Sequence, residues 1–143
     1  MLFFDRLCAA DSVPAQKQTP VAGDLRDSLR RELLRLLNTR NGLSRAQFLA
    51  CEGSVLHYGL PDLLGLCPQS DADLQGVSQL VEHGIHLFEP RLIDVRVQAQ
   101  RDPADAVRAR LTVEASVLAA SAGQRVEFAV VLDEADTLKV DFA

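Results

Sequence analysis

Tryptophan is absent from this chain and tyrosine occurs once. Interleaved aromatic platforms on which bases could stack are therefore missing, and the net charge of -5 repels nucleic acid and anionic lipid alike. Cysteine is sparse as well. Cys8, Cys51 and Cys67 are odd in number and lack metal-ligand spacing, so they suggest neither a disulfide framework nor a zinc site and fit a reducing compartment. Long apolar runs are also lacking. The opening Met1-Leu2-Phe3-Phe4-Asp5-Arg6-Leu7 carries its charges too early, and its apolar run is too short, for a signal peptide or a membrane span. The expectation is a cytoplasmic protein with no membrane span and no nucleic-acid partner. No Gly-x-Ser-x-Gly elbow or Gly-rich phosphate loop occurs, and no base is identifiable for Cys51 or Cys67, so nucleophilic catalysis and cofactor binding have no sequence signal.

What the chain does have is enough apolar sequence for one core, with 48% hydrophobic residues over 143 positions. Its organising stretch runs from Leu74 to Ala99. Leu74, Val77, Leu80, Val81, Ile85 and Phe88 recur at three- and four-residue intervals, which predicts a helix with one apolar face. Pro90 removes a backbone donor and drives Glu89 toward extended dihedrals, so the helix must end at the glutamate. Ile93, Val95, Val97 and Ala99 then alternate with polar residues as in a half-buried strand. Glu89 and Arg91 bracket the corner between the two.

Before this joint, Leu2, Phe3, Phe4 and Leu7 give a short amphipathic helix that must dock, either on its own domain or on a partner. Pro14 and Pro20 lie in a polar stretch that reads as a linker, so residues 1–23 are taken as a docking helix and linker and residues 24–143 as the folded domain. Asp24 is read as the cap of a helix carrying Leu25, Leu29, Leu33, Leu36 and Leu37 on one stripe and ending near Asn41-Gly42. Its outer face and the following turn bear Arg26, Arg30, Arg31, Arg35, Arg40 and Arg45 against Asp27 and Glu32. That face is a solvated surface or a docking surface for an acidic protein, since aromatics for base stacking are missing. Ser44 to Ala50 adds a possible helical turn, and Ser54 to Asp62 reads as an ordered, irregular loop.

After the joint, Gln100 to Ala106 is expected to be a connection. Strands then follow over Leu111 to Ala119, Val126 to Leu132 and Leu138 to Phe142, with turn chemistry at Ser121 to Gln124. The expected fold is α+β: two or three helices on one face of a mainly antiparallel four-stranded sheet, with the short N-terminal helix on its linker.

Two further catalytic patterns can be traced in the residues. Glu82, His83, His86 and Glu89 share helical spacings that could bring imidazoles and carboxylates toward a metal, but no fixed motif surrounds them and Gly84 weakens the scaffold. Ordinary solvated polar residues explain them. A glycosidase needs two carboxylates across a cleft, and Asp62, Glu82 and Glu89 are available, as such a trio is in any acidic chain.

Three segments taken together carry a resemblance: Leu36-Leu37-Asn38-Thr39-Arg40, Tyr58-Gly59-Leu60-Pro61-Asp62, and Phe88-Glu89-Pro90-Arg91-Leu92 at the joint. As a set they resemble the phage baseplate wedge family often labelled lysozyme-like, in particular its type VI secretion branch, the TssE subunits, over roughly Leu2 to Phe142. His57 stands where that family often has Asn. The resemblance implies a non-enzymatic scaffold in the baseplate at the inner face of the bacterial envelope. It would join the wedge subunits TssF, TssG and TssK and help seed the contractile sheath of TssB and TssC. It implies partner contacts at Arg40, Tyr58, Pro61 and Asp62, at the Glu89, Pro90 and Arg91 corner, whose alternative is an intramolecular ion pair steadying the turn, and at an open sheet edge that includes Val140, whose alternative is an edge capped by the same chain; Leu2, Phe3, Phe4 and Leu7 are the further candidate contact, as a tethered anchor. The alternative, a peptidoglycan-cleaving hydrolase, is suggested by the family's label.

Overall fold

The computed structural model describes residues 22–118, 124–132 and 138–142. The expected N-terminal docking helix, with Leu2, Phe3, Phe4 and Leu7, and most of the Ser121 to Gln124 turn lie outside the described residues.

The first helix, α1, spans Ala22–Asn38. It starts two residues before Asp24, so that carboxylate sits in the first turn, where it complements the exposed backbone N–H groups, rather than at the cap. Leu29, Leu33, Leu36 and Leu37 are buried as the stripe predicts. Ser28 and Glu32 are buried too, and this corrects the placing of Glu32 on the outer face. A second helix, α2, covers Arg45–Ala50. Ser44 opens it with a full capping box, its Oγ accepting from Gln47 N–H at 3.2 Å while Gln47 Oε1 accepts from Ser44 N–H at 3.0 Å. The payload of this short helix is Phe48, which is fully buried.

The long helix α3 covers Asp71–Phe88. It begins ahead of the apolar stripe because Ser70 caps it, its Oγ accepting from Asp73 N–H at 3.2 Å. Gly84 is a packing site rather than a weak point. A Cβ there would lie 2.8 Å from Leu60 Cδ2, so its absence lets the loop residue Leu60 and Phe48 press against the helix.

Four strands follow, β1 Leu92–Asp102, β2 Asp105–Val117, β3 Arg125–Leu132 and β4 Leu138–Phe142. They form an antiparallel sheet in the order β1-β2-β3-β4, so β1 and β4 are its edges. The α+β class expected from the sequence holds. Instead of a long connection over Gln100 to Ala106, the first two strands run on to a tight turn at Pro103-Ala104, which Asp102 Oδ1 steadies by accepting Ala104 N–H at 2.9 Å. Val97 pairs with Val113 and Val113 with Phe128 across the sheet, which puts one apolar face toward the helices. That face, with the stripes of α1 and α3, Phe48 and Leu60, is the core. β1 lies beside α3, and β4 beside α1. Near its start β1 carries a register irregularity between Ile93 and Arg96, where Asp94 takes φ 53°.

Candidate functional site

At the α3-to-β1 joint, the backbone turns as Pro90 dictates. Glu89 N–H still donates to Ile85 O at 2.8 Å, closing the helix, while Leu92 N–H donates to Glu89 O at 3.1 Å. The turn throws the side chains of Glu89 and Arg91 onto each other. Arg91 Nε donates to Glu89 Oε1 at 2.7 Å and Nη2 to Oε2 at 2.8 Å, a two-pronged match of planar groups that is the strongest common form of charged hydrogen bond. The third prong crosses the molecule. Arg91 Nη1 donates at 3.0 Å to Oγ of Ser28, 63 residues away on α1. The Glu89 carboxylate is only 2% exposed, against 24% for the Arg91 side chain. Hydrogen bonding to Glu89 holds the Arg91 guanidinium above its ordinary pKa, against the burial that would lower it. Pro90 itself is exposed.

One helical turn beyond Ser28, Glu32 enters the same cluster. Tyr58 Oη donates to Glu32 Oε1 at 3.0 Å, and the Tyr58 ring meets the Phe88 ring edge-on at 5.3 Å. Glu32 Oε2 is buried without a hydrogen bond, and Arg35 Nη1 stands 3.8 Å from it. Burial, then the neighbouring Glu32 charge, push the Tyr58 hydroxyl well above the usual phenol range.

The loop that delivers Tyr58 is clamped to the end of α1. Leu60 N–H donates to Thr39 O at 2.8 Å and Asn41 N–H to Leu60 O at 2.9 Å, forming a short parallel bridge between Arg40 and Leu60. The Asn41 side-chain amide donates to His57 O at 3.2 Å and Gly59 O at 3.0 Å. Gly59 is required here. Its φ is 106°, and a Cβ would sit 2.4 Å from Thr39 O. Arg40 turns its guanidinium back on Leu37 O at 2.6 Å, and Pro61 is buried behind the bridge.

Of the residues singled out in the sequence, the structure thus gathers Tyr58, Glu89 and Arg91 into one cluster, with Arg40 and Pro61 on the adjoining clamp. Asp62 lies on an exposed turn whose Oδ1 accepts Leu64 N–H at 2.9 Å, and Val140 is on the edge strand β4, its backbone paired with Val130. Sequence reasoning missed Ser28, Glu32 and Asn41. Ser28 and Glu32 are four residues apart on the flank of the leucine stripe, and that spacing was the available signal.

The catalytic patterns are not assembled. Glu82 Oε2 accepts the Val97 N–H at 3.1 Å, so it caps a backbone donor of the edge strand β1. It lines both grooves between α3 and β1, of about 580 and 540 Å³, whereas Asp62 and Glu89 line neither. His83 stacks edge-on against Phe48 at 5.2 Å. Among the described residues no group of His, Cys, Asp or Glu could hold a metal ion, and no helix is long and apolar enough to cross a membrane.

The charged corner residues bind one another within a helix-on-sheet frame. The model of the family described as baseplate wedge protein gp25 matches residues 23–122, and the chain belongs to that family of structural baseplate proteins. A solved structure from Geobacter sulfurreducens, described as a candidate tail lysozyme, is 14% identical; the match covers 92% of this chain and 95% of that one, with a TM-score of 0.47. No curated protein matches the chain.

Proposed function

We propose that this protein is the TssE-type baseplate subunit of a type VI secretion system, acting as a scaffold and not as a hydrolase. In this reading it joins TssF, TssG and TssK in the wedge and helps seed the TssB and TssC sheath. The observation that carries the reading is the family match over residues 23–122; the corner agrees with a scaffold, since Glu89 meets Arg91 with both carboxylate oxygens and Arg91 reaches Ser28, so helix, strand and α1 are held in one frame. Glu89 is then a positioning residue that presents Pro90 and the outer side of Arg91 to a neighbour. The family match supports a wedge role, and the motif set shared with TssE supports the secretion assignment.

Sheath seeding in this reading uses the sheet edge at β4, where an extended arm of a sheath subunit would add as a further strand. β1 is the less open edge, because Glu82 caps Val97 and the Asp94 irregularity distorts its start. Peptidoglycan hydrolysis is the weaker reading, because Glu89 is locked to Arg91 and Glu82 to a backbone N–H.

Affinity capture of the chain from cells, alongside a Val140→Pro variant, tests the proposal. The expected result is that TssF, TssG and TssK accompany both forms while TssB and TssC are lost from the variant. Capture of none of these, with release of fragments from purified peptidoglycan, would overturn it.

A further inference from the structure

The two edges of the sheet are finished differently. β4 is five residues long, whereas β1 runs for eleven residues alongside α3 with no strand on its outer side. A long unpaired edge is a template for any extended chain that meets it. Residues of a paired strand turn their backbone groups to alternate sides. Val97 N–H is turned out toward α3, where Glu82 Oε2 accepts it at 3.1 Å, so the N–H groups of Ala99 and Arg101 are turned out as well.

Three features obstruct this row. At its start Asp94 takes φ 53° and the register slips between Ile93 and Arg96, so the backbone there offers no straight ladder. At its far end the Arg101 side chain folds over to the start of α3, Nη2 donating to Gln69 O at 2.7 Å and to Asp71 Oδ1 at 2.9 Å. That ion pair is exposed on both sides, so water and salt weaken it. Glu82 stands between the two and is the one that takes a ladder donor for itself. A charged acceptor on a backbone N–H is a stronger bond than the neutral carbonyl of an incoming strand would make.

The groove above the edge says what is kept out. Its wall includes Gln75, Ser78, Gln79, Gln98 and Gln100, which carry no charge and both donate and accept, so the same wall fits itself. Main-chain pairing of two edges needs no particular sequence, and two copies of one edge can pair antiparallel about a two-fold axis. We propose that Glu82 is an edge guard: by holding Val97 N–H it stops β1 from pairing with β1 of a second copy and keeps the free chain monomeric. The proposal concerns the chain alone and stands apart from the baseplate reading.

The test is sedimentation velocity of the full chain over a range of concentrations. The wild type should stay monomeric. Glu82 is exposed, so Glu82→Ala should keep the wild-type melting curve, and it should form a dimer. A two-fold pair must displace both carboxylates, so their removal should tighten self-association by about tenfold for each, about a hundredfold together. Glu82→Gln keeps an acceptor for Val97 N–H and should remain monomeric. Adding Ala99→Pro to Glu82→Ala deletes an outward donor where an edge strand tolerates proline, and should dissolve the dimer. Glu82→Met, which also lacks an acceptor, is read by the same criteria if the alanine variant melts early. A wild-type chain that dimerises overturns the proposal. So does a folded alanine or methionine variant that stays monomeric, a glutamine variant that dimerises as strongly as the alanine one, or a dimer that survives Ala99→Pro.

Discussion

Two glutamates are buried in one polar cluster, and the protein treats them differently. Glu89 has both oxygens matched by a guanidinium across a two-residue corner, whereas Glu32 has one oxygen on a phenol and the other without a hydrogen bond. The fully matched carboxylate sets backbone direction, because its partner is on the other side of Pro90. The half-matched one sets the position of a loop, because its partner arrives from Tyr58. Charge matching is tight where the chain must turn from helix to sheet and looser where a loop merely has to be held.

Removing Arg91 tests the tight half of the comparison and should have the largest effect. Arg91→Ala leaves Glu89 buried and unpaired, and the expected loss is about 3–5 kcal/mol in urea denaturation. Arg91→Lys keeps a charge but not the two-pronged geometry and should fall between. A loss below about 1 kcal/mol for the alanine variant would mean the staple is ornamental.

Gly59→Ala comes next. It forces a side chain into a positive φ and against Thr39 O, so the loop must leave its clamp, at an expected cost of about 2–3 kcal/mol by the same measurement.

Tyr58→Phe should cost about 1–2 kcal/mol, since it leaves Glu32 Oε1 buried without its donor. It should also change the alkaline limb of stability. The folded Tyr58 holds its proton to higher pH than the unfolded chain does, so its contribution is complete below about pH 10 and fades as pH rises from there through the folded pKa. The Phe variant should lose that part of the slope. Because the chain has one tyrosine, its ultraviolet titration reports this hydroxyl alone.

The smallest effect is expected for Glu32→Gln, which removes a charge from a poorly matched site while keeping an acceptor for Tyr58. Stability should change by no more than about 1 kcal/mol, in either direction, and the Tyr58 titration should move down toward the ordinary range. A loss as large as that of Arg91→Ala would erase the distinction between the two glutamates.

The frame was largely legible in the sequence because it is periodic. Leu74 to Phe88, the alternation from Ile93 and the later strands announce themselves by spacing, and Pro90 marks the joint. The pairing of Glu89 with Arg91 was legible as a corner, since two residues and a proline define it locally. Ser28 and Glu32 were not, because their roles depend on groups brought from Arg91 and Tyr58, and a polar residue on a helix flank reads as solvated until its neighbour is known. The Pro103 turn was hidden for another reason. Polar and charged residues at the ends of long hairpin strands carry no alternation, so β1 and β2 looked shorter than they are.

The strands pair only with their sequence neighbours, yet β4 ends up beside α1. Each hairpin can therefore zip as soon as its second strand has left the ribosome, but α1 must wait until β4, about a hundred residues later, has been made before its surroundings are complete. Early release or slow translation of the C-terminal strands would leave that helix open to chaperones and proteases. The abundance of this protein in a cell should thus respond more sharply to damage in β4 than the small size of that strand alone would suggest.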